Sequence, residues 1–164
     1  MVKKKSLEWL DCSEEDLQIK IEEWIKLETL SKNSILFLEG EMGAGKSTFV
    51  REALRVLSPE SISLGSPTFP ITQTYTSQDG FSIYHIDLYR LKNEQELMDS
   101  GVLDQIEEKN VVAFVEWASV FADSFAHWFD ETRINRKAIY LIRIKDGPEG
   151  TRNYQIEKYG SHLE

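Results

Sequence analysis

The amino-acid sequence predicts an α/β fold in which a central sheet of mixed strand direction carries antiparallel hairpins and is flanked by helices. Three observations carry that prediction. Ser34–Glu39 (SILFLE) and Val111–Glu116 (VVAFVE) are short and almost wholly apolar, as strands covered on both faces must be. Amphipathic helical patterns alternate with these runs. Two further pairs of β-rich runs are joined by turn-forming residues, which adds antiparallel neighbours to a parallel centre.

Along the chain, Lys3, Lys4 and Lys5 form a basic run that reads as a short exposed tail. Ser13 followed by Glu14, Glu15 and Asp16 marks a helix start, with a hydroxyl cap and acids at the positive end of the helix dipole. Leu17, Ile21, Trp24 and Ile25 then recur at helical spacing, and Ser31-Lys32-Asn33 ends the pattern. Strand 34–39 leads through a glycine-rich turn into a second helix with Phe49, Val50, Ala53, Leu54 and Leu57 on one side, closed by Ser58-Pro59. Phe69–Thr76 and Phe81–Tyr89 are β-rich runs separated by the hairpin signal Gln78-Asp79-Gly80. Asn93–Ser100, stopped by Gly101, and Leu103–Glu108 predict two short helices. Strand 111–116 follows, then a helix over Ala118–Trp128. Ala138–Lys145 and Asn153–Lys158 predict a closing antiparallel pair across the turn 146–150. Trp24 and Trp128 read as core or interface residues. No repeat, low-complexity tract or Pro/Gly/Ser linker divides the chain, so residues 1–164 are expected to form a single domain.

Composition narrows the functional classes. With 41% hydrophobic and 29% charged residues, the chain reads as an ordinary soluble globular protein. Its net charge of −9 argues against gripping nucleic acid by charge, which needs clustered Lys and Arg. More than half of the acidic excess lies in residues 86–118, where eight acids face three bases. Glu94, Glu96, Asp99, Asp104, Glu107 and Glu108 in that stretch read either as a solvated helix face or as a surface for a basic protein partner. Lone Cys12 cannot form an internal disulfide, and no apolar run reaches the ~18 residues of a membrane span. A cytoplasmic protein is expected.

The most informative segment is Gly40-Glu41-Met42-Gly43-Ala44-Gly45-Lys46-Ser47, which matches G-x-x-x-x-G-K-[ST] at every fixed position. Glycines let the backbone curl so that successive N–H groups point at phosphate oxygens, while the following helix aims its positive end at the same anion. Glu41, Met42, Gly43, Ala44, Gly45, Lys46, Ser47 and Thr48 are therefore the expected phosphate contacts of a P-loop NTPase-like domain. Lys46 supplies an ammonium for the β- and γ-phosphates, and the Ser47 hydroxyl suits magnesium.

Two acids are candidates for the metal and the attacking water. Glu116 closes an apolar strand, where it would hold the metal, orient water, or simply end the strand. Asp87 lies in His85-Ile86-Asp87-Leu88-Tyr89-Arg90, with His85, Asp87 and Tyr89 on one face by alternation; its other reading is a surface carboxylate paired with Arg90. Ser66-Pro67-Thr68-Phe69 suits a loop that responds to the γ-phosphate through Thr68, or a plain turn into a strand. Arg90 serves transition-state charge or a salt bridge. Trp117 reads as packing, and His127 and His162 have no metal-ligand spacing.

The chain has no Asn-Lys pair and so no Asn-Lys-x-Asp guanine reader, and its arginines form no lid-like cluster of the kind a small-molecule kinase uses. The sequence resembles the TsaE (YjeE) family of bacterial P-loop ATPases. The matching segments are the loop 40–47, Ser66-Pro67-Thr68-Phe69, His85-Ile86-Asp87-Leu88-Tyr89-Arg90 and Glu116-Trp117, which span residues 34–118, with the closing strands and Arg152 agreeing more loosely. The resemblance implies ATP and Mg2+ as ligands, weak ATP hydrolysis, and a requirement in threonylcarbamoyladenosine modification of tRNA. It further implies action on the TsaB–TsaD complex as a nucleotide-dependent switch that permits repeated turnover, with tRNA reached through that complex. Lys46 would hold phosphates, Ser47 and Asp87 would lie on the magnesium side, Glu116 would serve the metal or its water, and Thr68 would belong to a switch-like loop. Ser47 stands where many relatives carry Thr, and Phe121–Arg136 fits the family pattern poorly. The alternatives are an ATP-dependent binding module in which hydrolysis is incidental, and an unrelated small P-loop kinase.

Overall fold

A computed structural model describes residues 2–28, 30, 32–60, 71–130 and 137–160. Ser66-Pro67-Thr68-Phe69, the first residues of the expected strand 69–76, and His162 lie outside the described residues, as do the side chains of His127 and Trp128. The strands are β1 (Val2–Cys12), β2 (Asn33–Glu39), β3 (Thr72–Thr76), β4 (Ser82–Asp87), β5 (Val111–Glu116), β6 (Ala138–Asp146) and β7 (Arg152–Gly160). The helices are α1 (Glu14–Glu28), α2 (Lys46–Leu57), α3 (Glu94–Asp99), α4 (Val102–Glu107) and α5 (Ala122–Asp130). They form one seven-stranded sheet in the order β1-β7-β6-β2-β5-β4-β3. β2, β4, β5 and β6 run parallel, whereas β3, β7 and β1 pair antiparallel with their neighbours, which is the mixed α/β architecture expected.

The parallel centre follows from composition. Ser34 to Leu38 of β2 and all six residues of β5 are buried, because helices cover both sheet faces. On one face α1 and α2 pack Trp24 and Phe49 against Phe114, Tyr140 and Tyr154. On the other, Leu97, Val102, Ile106 and Phe125 pack against Ile35, Ile86 and Val115.

Three expectations need correction. Lys3 to Lys5 are not a tail: they belong to β1, which pairs with β7 so that Leu7 faces Ile156 and Trp9 faces Tyr154. Trp9 is buried and Lys5 forms an ion pair with Glu28 of α1, so the strand is anchored by one aromatic and one charge. The strand expected to reach Tyr89 stops at Asp87, whose carboxylate accepts from the Tyr89 N–H at 3.0 Å and starts a 3-10 turn over Leu88–Arg90. The helix expected from Ala118 begins as a 3-10 turn, Ala118–Phe121, before α5.

Two acids of the 86–118 stretch hold the fold together. Glu96 accepts from Lys92 N at 2.9 Å while Asn93 accepts from Glu96 N, a reciprocal cap at the start of α3. Glu94 accepts from Ser124 Oγ at 2.8 Å and ties α3 to α5.

Candidate nucleotide site

The site grows from the junction of β2 and α2. Gly40 leaves β2 where β6 passes close by: a Cβ there would lie 2.8 Å from the Ile144 carbonyl oxygen. Gly45, at φ 103, turns the chain into α2 in a conformation L side chains avoid. No side chain caps this helix and its first turn contains no acid, unlike α1 with three. The helix thus brings no acid of its own to the positive end of its dipole.

Lys46 is buried at the mouth of this loop. Its Nζ donates to the carbonyls of Gly40 (2.7 Å) and Glu41 (2.8 Å) and sits 3.9 Å from the centroid of the Trp117 ring. Burial pushes the ammonium below its ordinary pKa, and the neighbouring charges of Glu116 and Asp87 oppose that shift.

Glu116 is 3% exposed at the end of β5. Its Oε1 accepts from Ser47 Oγ at 2.9 Å and lies 2.7 Å from His85 Nε2. Asp87 faces Glu116 across the β4–β5 register, so both carboxylates leave the same sheet face at the same level. Trp117, at φ 64, turns its ring toward Tyr89, with centroids 5.0 Å apart.

Two cavities flank the loop. A 340 Å3 cleft is lined by Met42, Gly43, Gly45, Lys46, Ser47 and Thr48 together with Asp87, Tyr89, Glu116 and Trp117. On the β6 side a 540 Å3 cavity is lined by Glu39 to Ala44 and by Arg143, Ile144, Lys145, Asp146 and Arg152. Arg152 Nε donates to the Ala44 carbonyl at 3.2 Å and lies 3.3 Å from Asp146. Arg143 is held between Glu39 (3.3 Å) and Glu157 (2.9 Å).

Every residue of the 41–48 motif thus lines one cavity or both, and Asp87 and Glu116 converge on Lys46 and Ser47. Thr68 lies outside the described residues. Sequence reasoning placed His85 on the face of Asp87 by alternation without giving it a role, read Trp117 as packing, and assigned nothing to Arg143 and Arg152, whose places depend on distant strands. Among the described residues no cluster of three or more His, Cys, Asp or Glu forms a self-contained metal cage. One hydroxyl and two carboxylates are instead the donor set of a hard cation that keeps waters and shares phosphate oxygens, so the residues fit magnesium.

A glycine-rich loop between a buried parallel strand and an uncapped helix, with a carboxylate on the adjacent parallel strand, defines a P-loop NTPase-like protein. The family model described as threonylcarbamoyl adenosine biosynthesis protein TsaE matches residues 12–150. The chain belongs to the TsaE family. It is 40% identical over 90 residues to the tRNA threonylcarbamoyladenosine biosynthesis protein TsaE of Bacillus subtilis, covering 54% of this chain and 53% of that protein. It is 38% identical over 93 residues to the protein of the same name from Rickettsia conorii, covering 57% of this chain and 51% of the relative. The match to the Nostoc protein of that name is 29% identical over 136 residues and covers 80% and 75%. The chain thus spans about half the length of the first two relatives. The crystal structure of Bacillus subtilis YdiB superposes with a TM-score of 0.63 at 22% identity over 98% of this chain and 89% of the other, a likeness of fold alone.

Proposed function

We propose that the protein binds ATP with magnesium, hydrolyses it slowly, and serves threonylcarbamoyladenosine modification of tRNA. It acts on the TsaB–TsaD complex as a nucleotide-dependent switch that permits repeated turnover. The observation that carries this reading is the convergence of Lys46, Ser47 and Glu116 at the uncapped start of α2.

The chain's own residues divide the work. Backbone N–H groups of Glu41 to Thr48 cradle the phosphates, and the β6-side cavity with Arg152 and Asp146 takes the base and sugar. Lys46 exchanges the Gly40 and Glu41 carbonyls for phosphate oxygens. Ser47, Asp87 and Glu116 would hold magnesium or its waters, and the ion would neutralise charge developing on the phosphates. Glu116, as a buried acceptor, aligns the water whose oxygen bonds the γ-phosphorus as the bond to the β-γ bridging oxygen breaks, leaving ADP and phosphate. Thr68 remains the proposed switch-loop hydroxyl. The engagement of Lys46 by two backbone carbonyls must be exchanged when nucleotide enters, a cost that falls on affinity. With a net charge of −9, tRNA is reached through the complex. The site of action is the cytoplasm, where the tRNA substrate is; among the described residues no helix is long and apolar enough to cross a membrane.

Reconstitution with TsaB–TsaD and tRNA tests this directly. Addition of the partners is expected to raise ATP turnover at least tenfold and to make repeated tRNA modification depend on this chain. Glu116→Gln is expected to keep partner binding and ATP binding, the latter with a smaller magnesium-dependent gain, while supporting one round of modification and not many. Full multiple-turnover modification by Glu116→Gln would replace the switch by an ATP-dependent binding module. No requirement for the chain would overturn the assignment.

A further inference from the structure

The contact between His85 and Glu116 has no part in the phosphate-binding motif, yet together with the Ser47 hydrogen bond it joins three elements. His85 is on β4, Glu116 on β5, and Ser47 in the first turn of α2. β4 and β5 run parallel with Asp87 opposite Glu116 and His85 opposite Phe114, so His85 reaches Glu116 diagonally across the pair. All of these side chains leave the sheet on the face covered by α2, where Phe114 joins the core.

An ionised carboxylate can only accept. Glu116 Oε1 takes the Ser47 hydroxyl at 2.9 Å, and the His85 ring nitrogen 2.7 Å away is therefore the second donor. The His85 side chain is 15% exposed and that of Glu116 is 4% exposed, so solvent offers little substitute for either partner. Glu116 has three side-chain torsions and ends a strand, and a nearby point charge such as Lys46 does not set its direction. Ser47 is a poor sole anchor because its oxygen is also the one expected to turn a lone pair to a cation.

We infer that His85 is a positioning residue: its Nε2–H, delivered by β4, fixes the orientation of the Glu116 carboxylate independently of Ser47, so that the site is ready when metal and nucleotide enter. This inference rests on the ATPase reading above and assigns His85 no contact with the nucleotide. Asp87, two residues along the same strand face, then faces a carboxylate of fixed orientation, so β4 contributes both an acid and the residue that aims its partner.

Three substitutions separate the donor from the space it fills. His85→Phe keeps a ring of similar size without a donor. His85→Gln carries an amide N–H to about the position of Nε2, and His85→Asn stops one bond short. Steady-state hydrolysis gives kcat and KM for ATP, and calorimetry gives the Kd of a non-hydrolysable ATP analogue with magnesium and with chelator. His85→Phe and His85→Asn are expected to lower kcat at least tenfold with KM within twofold, and to reduce the magnesium-dependent gain in affinity at least threefold. His85→Gln is expected to recover both to within threefold of the wild type. Analogue affinity in chelator should stay within twofold for all three, which reports an intact loop. Unchanged kcat and unchanged magnesium gain in His85→Phe would overturn the inference. Equal damage in His85→Gln and His85→Phe would also overturn it, since ring volume and not the donor would then matter. If the wild type hydrolyses no ATP with or without partners, the ATPase reading falls, and the magnesium-dependent affinities alone decide the role of His85.

Discussion

Gly40 and Gly45 bracket the phosphate loop for different physical reasons, and a pair of alanine substitutions separates them. At Gly40 the backbone, at φ 158, meets a second obstacle in the Ile144 carbonyl, 2.8 Å from where an alanine methyl would sit and part of the β6 backbone, which cannot rotate aside. At Gly45 the nearest atom is the Tyr154 hydroxyl at 3.9 Å, and the obstacle is φ 103 itself. Gly40→Ala is therefore expected to destabilise the protein by about 2–3 kcal/mol through overpacking, and to open the contact between loop and β6. Gly45→Ala is expected to cost about 1–2 kcal/mol of backbone strain. Urea unfolding checks both, and a smaller loss at Gly40 than at Gly45 would show that β6 does not constrain the loop. At this scale Lys46, Ser47, Asp87 and Glu116 were legible because each follows from a motif or from the end of an apolar strand. His85, Arg143 and Arg152 were not, because their roles depend on strand register: Arg152 reaches the Ala44 carbonyl across 108 residues, and His85 meets Glu116 only through β4–β5 pairing.

At the scale of elements, α1 is fastened to the antiparallel edge of the sheet by Glu28. This carboxylate accepts from Lys5 of β1 and, at 3.0 Å, from Lys158 of β7, with its side chain 9% exposed. The Lys5 hydrogen bond is the larger influence holding its pKa below the ordinary glutamate value; burial opposes it and Lys158 assists. The sign follows from linkage: a carboxyl that titrates lower when folded contributes stability present above its unfolded pKa, about 4.3, and lost as pH falls through the folded value. Glu28→Gln is expected to cost about 1–2 kcal/mol at pH 7, a figure kept low because Lys5 is 62% exposed. Thermal unfolding from pH 7 to pH 3 should show the gap between wild type and Glu28→Gln closing below pH 4. A gap of constant size would show that shape, not charge, anchors α1. The helix itself was legible from its cap and apolar spacing, and β2 and β5 from their composition. β1 was not, because its three lysines mask an alternation whose partner strand lies at the other end of the chain.

At the scale of the whole molecule, β1 closes the core that supports the site. Trp9 lies 6.4 Å from Trp24 of α1, 6.5 Å from Phe49 of α2 and 5.9 Å from Tyr154 of β7, measured between ring centroids. Phe49 also contacts Trp24 and Tyr154, so the helix that carries Lys46 and Ser47 rests on an aromatic cluster completed by the first strand of the chain. The carboxylates sit elsewhere: Asp87 and Glu116 belong to β4 and β5, which lie beyond β7, β6 and β2 from β1 in the sheet order. The position of the carboxylates is therefore separable from the stability that β1 contributes. Trp9→Ala removes a buried indole and is expected to cost about 3–5 kcal/mol. At about 2–4 °C per kcal/mol for a chain of this size, the melting temperature should fall by roughly 6–20 °C. At 25 °C the remaining folded protein should bind an ATP analogue within threefold of the wild type, because the loop keeps its close approach to β6 at Gly40 and both carboxylates keep their strands. Differential scanning calorimetry with a nucleotide titration on the same sample measures both quantities. An unchanged melting temperature would return residues 2–12 to the role of an exposed tail. A large loss of affinity in protein that is still folded would mean that the aromatic cluster sets the position of α2, and that stability and binding are coupled through Phe49.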